Sequence, residues 1–287
     1  MVGRLVLVNE LDSTRFETLR VRTDGVRATV TLDNPPTNLF DPQMIDDVSR
    51  LLGILRADPE TRVVVFDSAD PDFFIGHADL NLFLAPRTEV PPRPHVLNGL
   101  QALFEDLRTL PQATIGVLEG RAVGGGAEFL SSLDMVFAAR GRAVLSQFEA
   151  AVGVIPGATG SQRLPRMLGR QRALEVILGC DEFDADTAAA YGLVNRALPA
   201  EELRGFVDRL AARIASFPAK TIAINKAAVD AATPPYFDGL LEETHALDQT
   251  LVDGEAQRRM KALLALGAQD REFELTRFST ALEELDR

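Results

Sequence analysis

Residues 117–139 read VLEGRAVGGGAEFLSSLDMVFAA and contain the pattern that decides the fold. An apolar run typical of a buried strand, ATIGVLEG, leads into three consecutive glycines, Gly124 to Gly126. A short helical pattern follows, and a second strand-like run begins at Met135. Strand, glycines and helix in this order bring the unpaired N–H groups of a helix start to a loop that a ligand can approach closely. The segment therefore predicts an anion-binding turn within an α/β fold.

The glycine run does not fit the two common nucleotide-binding motifs. The P-loop places Lys and Ser or Thr after its last glycine, where this chain has Gly126 and Ala127. The Rossmann pattern fails because Phe129 stands where its third glycine is required. Two interpretations remain: a turn that binds an anion other than a nucleotide phosphate, and a turn whose glycines permit tight packing of strand against helix.

The composition excludes several classes of function. The chain has 287 residues with 30 basic and 42 acidic side chains, a formal charge of -12. Such a surface repels nucleic acids and anionic membranes, so neither is an expected partner. One cysteine, Cys180, rules out an intrachain disulfide and a cysteine-based zinc site. The three histidines, His77, His95 and His245, lack the spacing of metal ligands, so no metal site is expected.

No segment of the sequence predicts insertion into a membrane. The apolar run within MVGRLVLVNE is too short for the hydrophobic region of a signal peptide. No other run approaches the roughly 18 apolar residues of a membrane-spanning helix. The sequence therefore predicts a soluble, cytoplasmic protein.

The order of strand and helix patterns indicates how the chain is organised. Strand-like and helical segments alternate up to about residue 199, which favours a parallel sheet packed by helices. The first long helix has Asp41 as its N-cap and Pro42 at its first position. Residues 85–95 form a proline-rich loop of the kind that often lies over a site. We expect a core domain over 1–199 and an all-helical C-terminal region over 200–287.

Two glutamates near the glycines are candidates for proton transfer. Glu128 falls in the first turn of the predicted helix, and Glu149 lies among apolar residues before a Gly/Pro-rich turn. Each alone is typical of a structural carboxylate, Glu128 because a helix N-terminus favours it. As a pair beside backbone donors, they have the composition of an acid/base couple with an oxyanion stabiliser.

Five segments resemble, in order, the motifs of the enoyl-CoA hydratase/isomerase (crotonase) family. They extend from about residue 30 to residue 200. Together they are specific evidence for the family, whereas each segment alone would be weak evidence. The segments are LDNPPTNLF, FFIGHADL, VLEGRAVGGGAEFLSSLDMVFAA, SQFEAAVGVIPGATGSQRLPRMLG and DADTAAAYGLVNRALP.

The resemblance implies a crotonase-like spiral of ββα units whose helical C-terminal region serves trimerisation. It implies an acyl-CoA thioester substrate, no separate cofactor, and a homotrimer or dimer of trimers. By position in the motifs, the oxyanion donors are the backbone N–H groups of Ala78 and Gly125, and Glu128 and Glu149 are the glutamates of the family's hydratases. The positions expected to border the substrate are Gly124, Gly126, His77, Pro36, Asn38, Phe148 and Gly157.

The residues and the resemblance together predict the syn addition of water to a 2-enoyl-CoA. We assign Glu128 as the base toward water and Glu149 as the acid at Cα. Isomerisation, in which Glu149 alone moves a proton between carbons, is an alternative, as is another acyl-CoA hydrolase or lyase reaction. A non-catalytic member of the family is a further alternative.

The chain departs from the family pattern at four places, one of which is residues 35–37, where many members carry a basic residue near the CoA adenine. His77 stands where the family usually has glycine, and Phe148 replaces the common proline before Glu149. The C-terminal segment lacks the usual lysine motif near the CoA phosphates, so Arg258, Arg259 and Lys261 are candidates to take its place.

Overall fold

The strands form two sheets, and the chain alternates between them. The computed structural model describes residues 10–252 and 254–285, so the apolar run at the start of MVGRLVLVNE lies outside the described residues. The strands are β1 (Leu19–Thr23), β2 (Arg27–Leu32), β3 (Val63–Ser68), β4 (Phe73–Ile75), β5 (Ala113–Leu118), β6 (Arg121–Val123), β7 (Met135–Arg140), β8 (Val144–Ser146), β9 (Phe183–Asp184) and β10 (Arg196–Pro199).

The larger sheet has the order β1-β2-β3-β5-β7-β10 and the smaller one the order β4-β6-β8-β9. In the larger sheet only the β1–β2 pair is antiparallel, and in the smaller one only the β8–β9 pair. Thus β3, β5 and β7 add to the large sheet in turn, while the strands that follow them, β4, β6 and β8, add to the small one.

Helices complete each turn of this arrangement and then continue to the C-terminus. They are α1 (Glu10–Ser13), α2 (Pro42–Ala57), α3 (Gly99–Arg108), α4 (Gly125–Leu130), α5 (Gly160–Leu168), α6 (Arg170–Gly179), α7 (Ala185–Tyr191), α8 (Ala200–Ala215), α9 (Ala219–Asp230), α10 (Phe237–Leu251), α11 (Glu255–Leu266), α12 (Arg271–Thr276) and α13 (Phe278–Leu282). Short 3₁₀ turns cover Leu80–Phe83 and Glu149–Val152. A helix follows each of the pairs β1–β2, β3–β4, β5–β6 and β7–β8, which agrees with the predicted spiral of ββα units.

Local sequence explains where the first long helices begin. The side chain of Asp41 accepts a hydrogen bond from the N–H of Met44 at 2.8 Å, and Pro42 occupies the first helical position, as predicted. Helix α3 begins with a capping box in which Asn98 and Gln101 bind each other's backbone N–H groups. The proline-rich residues 85–95 form neither helix nor strand, as their composition predicts.

The main core lies between the large sheet and helices α2 and α3. The ring of Phe129, carried by α4, occupies its centre and is fully buried. Its centroid lies 5.5 Å from that of Phe66 and 5.9 Å from that of Phe104, both edge-on. The residue next to Glu128 therefore anchors α4 in the core, which fixes where the Glu128 carboxyl can lie.

The helical C-terminal region does not form a separate body. Helix α8 packs Leu203, Val207 and Ala211 on the second face of the large sheet. Strand β5 is consequently buried along its whole length, as central parallel strands are. The later helices α11 to α13 share a core with Phe148 and Val152 of the second 3₁₀ turn. The boundary predicted at residue 199 marks the end of the last strand, and the layers on either side of it are continuous.

Candidate active site

The N–H group of Ala78 points away from its neighbouring segment. A parallel bridge joins Ala78 to Phe40, formed by the Phe40 N–H donating to the His77 carbonyl (2.9 Å) and the Asp79 N–H donating to the Phe40 carbonyl (3.3 Å). Alternate backbone groups of an extended segment face opposite sides, so the Ala78 N–H faces away from Phe40. Among the described residues, no backbone carbonyl accepts a hydrogen bond from the Ala78 N–H.

Gly125 supplies a second such donor close to the first. It is the first residue of α4, where a helix N–H has no partner in its own helix. A Cβ atom added to Gly125 would lie 3.6 Å from the Ala78 nitrogen and 3.3 Å from the Ala78 Cβ. Two backbone donors thus lie side by side at one wall of a cavity, which is the composition of an oxyanion hole.

The two glycines that flank Gly125 are required by different neighbours in the structure. Gly124 has a φ of 52°, and a Cβ there would lie 2.7 Å from Oε1 of Glu149. A Cβ on Gly126 would lie 2.4 Å from the carbonyl oxygen of Ile75 in β4. Gly124 therefore makes room for a carboxyl of the site, whereas Gly126 permits tight packing of α4 on the small sheet. The packing interpretation left open by the sequence thus holds at Gly126, and the binding of an anionic group by this turn stays a prediction.

Glu128 is buried and held by backbone donors. Its side chain is 3% exposed, and Oε1 accepts the N–H of Ala158 at 2.9 Å and that of Gly160 at 2.6 Å. These donors lie at the start of α5, where helix N–H groups are free to bind an anion. Burial raises the pKa of Glu128 well above its usual value, and the charges of Glu149 and Glu243 raise it further.

Glu149 faces the same cavity with one oxygen unpartnered. It begins the second 3₁₀ turn and is 8% exposed, and its buried Oε2 makes no hydrogen bond within the described residues. Burial raises the pKa of Glu149 to about 7, against the lowering effects of nearby backbone N–H groups and of His77. A carboxyl whose pKa lies near neutrality can both deliver and accept a proton at neutral pH.

These groups line one cavity with a volume of about 390 Å³. Ala78, Gly125, Glu128, Glu149, Phe148 and Gly157 all border it, so the structure brings together six of the positions predicted from the sequence. The remaining wall is mostly apolar and includes Leu80, Leu82, Phe83, Leu100, Val152, Val154, Ile155, Leu247, Leu251 and Met260. Arg87 of the proline-rich loop also lines the cavity and forms an ion pair with Asp248 of α10.

Five predicted substrate contacts do not line this cavity: Gly124 and Gly126, whose surroundings are described above, and Asn38, Pro36 and His77. The amide of Asn38 donates to the Ser68 hydroxyl and to backbone carbonyls of β4, so Asn38 holds its own turn in place. Pro36 is exposed, and its carbonyl accepts from Arg271 at 2.9 Å. His77 is fully buried and directed toward Glu274 of α12. The polar groups of Asn38, Pro36 and His77 each have a partner within the protein, and their expected contact with substrate stays a prediction.

A third buried carboxylate, Glu243 of α10, was not predicted from the sequence. It is 2% exposed and accepts the N–H of Thr159 at 2.8 Å and the amide of Gln101 at 2.9 Å. The Ser161 hydroxyl donates to its other oxygen. Residues 158 and 160 therefore bind Glu128, while residues 159 and 161 bind Glu243. Nothing in the surrounding EETHALDQ distinguishes Glu243 from a solvated helical residue, because only the tertiary fold shows its partners.

Two of the three basic residues predicted to replace the lysine motif, Arg258 and Arg259, form ion pairs within helix α11. Arg258 and Arg259 both form ion pairs with Glu255, and Arg259 also donates to the Ala151 carbonyl at 3.0 Å. Lys261 is exposed. Asp253, which precedes this helix, lies outside the described residues. Among residues 10–252 and 254–285, no cluster of His, Cys, Asp and Glu side chains has the arrangement of a metal site.

The sequence profile of the enoyl-CoA hydratase/isomerase family matches residues 22–262. The chain belongs to this family. It is 30% identical over 219 residues to a Dictyostelium discoideum protein named "Probable enoyl-CoA hydratase, mitochondrial", a match that covers 76% of each chain. The family resemblance inferred from the five motifs is therefore confirmed.

Solved structures agree with the crotonase-like fold. A "putative enoyl-CoA hydratase" from Streptomyces avermitilis is 40% identical with a TM-score of 0.88, and the match covers 95% of this chain and 100% of that one. Pseudomonas aeruginosa DspI is 31% identical with a TM-score of 0.69, over 83% of this chain and 96% of that one. The chain thus has the fold and the enzyme class of the enoyl-CoA hydratase/isomerase family. No described helix combines the length and the hydropathy that crossing a membrane requires.

Proposed function

We propose that this member of the family adds water across the double bond of a 2-enoyl-CoA thioester. The observation that carries the proposal is the meeting, in one cavity, of two buried carboxyls, Glu128 and Glu149, with the N–H groups of Ala78 and Gly125, which have no backbone acceptor among the described residues. The apolar wall of the same cavity suits an acyl chain. Coenzyme A enters as part of the substrate, and the reaction needs no separate cofactor.

The oxyanion hole is proposed to stabilise the charge that develops on the thioester. As water adds at Cβ, the π electrons of the double bond move toward the carbonyl and place negative charge on the thioester oxygen. Donation from Ala78 and Gly125 to that oxygen lowers the barrier, by roughly 3–4 kcal/mol for each donor in comparable sites. The carbonyl gains this charge only in the transition state, so the interaction accelerates the chemical step.

The surroundings of the two glutamates support different roles for them. The two N–H bonds to Glu128 oppose the rise in its pKa that burial and the nearby carboxyls cause, and in its ionised form Glu128 can take the proton of the attacking water as the C–O bond forms at Cβ. Glu149, with its unpartnered Oε2, is suited to carry a proton and to deliver it to Cα of the enolate. With both carboxyls bordering one cavity, we infer that both additions occur on one face of the double bond, which is syn hydration.

Hydration of crotonyl-CoA and longer 2-enoyl-CoA thioesters tests this proposal. Turnover removes the conjugated double bond, so the absorbance of the enoyl thioester should fall with wild-type protein. Glu149→Gln and Glu128→Gln should each reduce kcat by about 10²–10⁴, the usual contribution of a positioned acid or base. A wild-type protein that binds these thioesters without turnover would sink the proposal.

Isomerisation is the second candidate, because the unpartnered Oε2 of Glu149 suits a group that moves a proton between two carbons. Glu128→Gln separates the two reactions. Isomerase activity should survive this substitution, whereas hydratase activity should collapse. A non-catalytic role is instead indicated if neither glutamate substitution changes the behaviour of the protein.

We retain two further expectations as proposals. The family resemblance favours a homotrimer or a dimer of trimers, built through the helical C-terminal region. We also propose a cytoplasmic location, as the sequence predicts, although the related Dictyostelium protein is named as mitochondrial.

A further inference from the structure

The side chain of His77 is enclosed between its own segment, residues 77–79, and the C-terminal helices α12 and α13. We call residues 77–79 the oxyanion segment. It has 0% exposure, and its ring lies stacked on Phe278 of α13 with a centroid distance of 5.6 Å. Phe148, the neighbour of Glu149, packs on it with a centroid distance of 5.4 Å. His77 therefore touches both the segment that carries Ala78 and the turn that carries Glu149.

Both ring nitrogens of His77 face hydrogen-bond acceptors. Nδ1 lies 2.7 Å from the carbonyl oxygen of Ala78, and Nε2 lies 3.2 Å from Oε1 of Glu274. A carbonyl oxygen can only accept, and Oε1 of Glu274 already accepts the N–H of Gln269 at 2.7 Å. A ring that donates from both nitrogens is a doubly protonated imidazolium.

The contacts around His77 fasten the C-terminal region to the oxyanion segment. Gln269 binds Glu274 through its backbone and Asp79 through its side chain, the latter at 2.8 Å. Gln269 has a φ of 76°, a conformation that a residue other than glycine adopts only when its surroundings hold it. The carbonyl of Ala78 is thus held by His77, while its N–H remains directed at the cavity.

We propose that His77 is a positioning residue, a buried imidazolium held by Glu274 that fixes the Ala78 peptide and places a positive charge beside Glu149. The inference rests on the proposed hydration, in which Ala78 binds the enolate oxygen and Glu149 protonates Cα. After that transfer Glu149 is a carboxylate, and a neighbouring cation stabilises it. His77 touches no substrate in this account and acts through Ala78 and Glu149.

The charged groups around His77 support its protonated form. Glu274 faces it from α12, Glu149 from the second 3₁₀ turn, and Asp79 from its own segment, and all three are acidic. Burial alone would lower the pKa of His77, but the hydrogen bond and charge of Glu274 raise it above its usual value. Glu149 also faces the carboxyls of Glu128 and Glu243, which repel its negative charge. The positive charge of His77 counteracts this repulsion.

The protonation state of His77 can be measured without any substrate. Imidazole ¹⁵N shifts of the resting protein should show one ring, absent in His77→Asn, that stays doubly protonated at pH 7. In Glu274→Gln the same ring should become neutral, because the amide keeps the contact without the charge. A neutral His77 ring in the wild-type protein at pH 7 would overturn the inference, whether or not a thioester is turned over.

Kinetics then test the effect on Glu149. An acid that must hold its proton gives an alkaline limb in the pH profile of kcat/KM. Loss of the cation raises the pKa of that acid, so His77→Asn and Glu274→Gln should each move the limb up by about one unit or more. The same variants should lower kcat with little change in KM, and the double variant should add no further shift. Turnover with an unmoved limb would contradict the positioning role while leaving the hydratase proposal intact.

Two matched variants separate charge from packing. His95→Asn removes a histidine from the exposed proline-rich loop and should leave the pH profile unchanged. Phe278→Leu loosens the stacking on His77 but keeps the charge, so it should lower the melting temperature without moving the limb. An equal shift of the limb in Phe278→Leu would show that His77 acts only through packing and would overturn the inference.

Discussion

Gly160 has no side chain because the Glu128 carboxyl occupies the space where one would be. Its N–H donates to Oε1 of Glu128 at 2.6 Å, and a Cβ added to it would lie 2.8 Å from that oxygen and 2.8 Å from the Cβ of Pro156. Gly160→Ala should therefore displace the carboxyl. We expect kcat for hydration to fall on the order of 10²-fold and stability to fall by about 1–3 kcal/mol.

Gly53→Ala is the matched control for this substitution. Gly53 lies within α2, is exposed, and has open space where a Cβ would stand. The control should raise stability by about 0.5–1 kcal/mol and leave turnover unchanged. Steady-state kinetics and thermal unfolding measure both quantities, and full activity in Gly160→Ala would show that Glu128 does not need its present position.

Glu149 should also make stability depend on pH. Burial raises its pKa from the usual 4.5 to about 7, so the folded protein holds this proton more tightly than the unfolded chain does. By linkage, the free energy of unfolding falls as pH rises through the window from 4.5 to about 7. Glu149→Gln removes this contribution, so its melting temperature relative to wild type should be higher at pH 8 than at pH 4. An equal difference at the two pH values would contradict the assignment.

Sequence motifs identified individual site residues unevenly. Ala78, Gly125, Glu128 and Glu149, which line one cavity, were predicted from their positions in motifs that resemble those of the family. The partners Glu243 and Glu274 were missed because they lie on C-terminal helices far along the chain. Their roles arise only from tertiary contacts, which neither spacing nor helical periodicity records.

At the scale of elements, the start of α5 lies between two carboxylates. The N–H of Thr159 binds Glu243 of α10, while those of Ala158 and Gly160 bind Glu128 of α4. Thr159 has a φ of 107°, so its backbone conformation depends on these contacts. Helix α10 thereby fixes the donors that orient the proposed base.

Substitution of Glu243 tests this link between α10 and the site. Glu243→Ala leaves buried donors without an acceptor, at about 1–3 kcal/mol each, and should lower both stability and kcat. Glu243→Gln keeps an acceptor oxygen but removes a negative charge that raises the pKa of Glu128. The acid limb of the pH profile, set by the base, should therefore move to lower pH in Glu243→Gln. The link would be refuted if the alanine variant kept wild-type kcat and stability.

The element pattern shows where sequence-based prediction of the fold succeeded and where it stopped. Caps and periodicity predicted the strands and helices around the glycines, because these elements are specified by neighbouring residues. The division at residue 199 followed a change from strand to helix patterns along the chain. Such a change does not show whether the helices contact the sheet. In the structure α8 packs on the large sheet through the buried residues Leu203, Val207 and Ala211.

At the scale of the whole molecule, the C-terminal helices provide much of the cavity wall. Leu247 and Leu251 of α10 and Met260 of α11 line it, and α12 and α13 enclose His77. Phe278→Ala should therefore destabilise the protein by about 3–5 kcal/mol, the usual loss for a buried phenylalanine. Denaturant unfolding measures this change, and a loss of less than 1 kcal/mol would show that α13 packs weakly against the site.

The central claim is that the two glutamates and the two backbone donors together hydrate a 2-enoyl-CoA. Its most direct test is the product formed by the wild-type protein from crotonyl-CoA in deuterated water. The account predicts 3-hydroxybutyryl-CoA with one deuterium at Cα on the same face as the new hydroxyl, formed about 10²–10⁴ times more slowly by Glu149→Gln. Thioester that binds and is recovered without a hydroxyl at Cβ would contradict it.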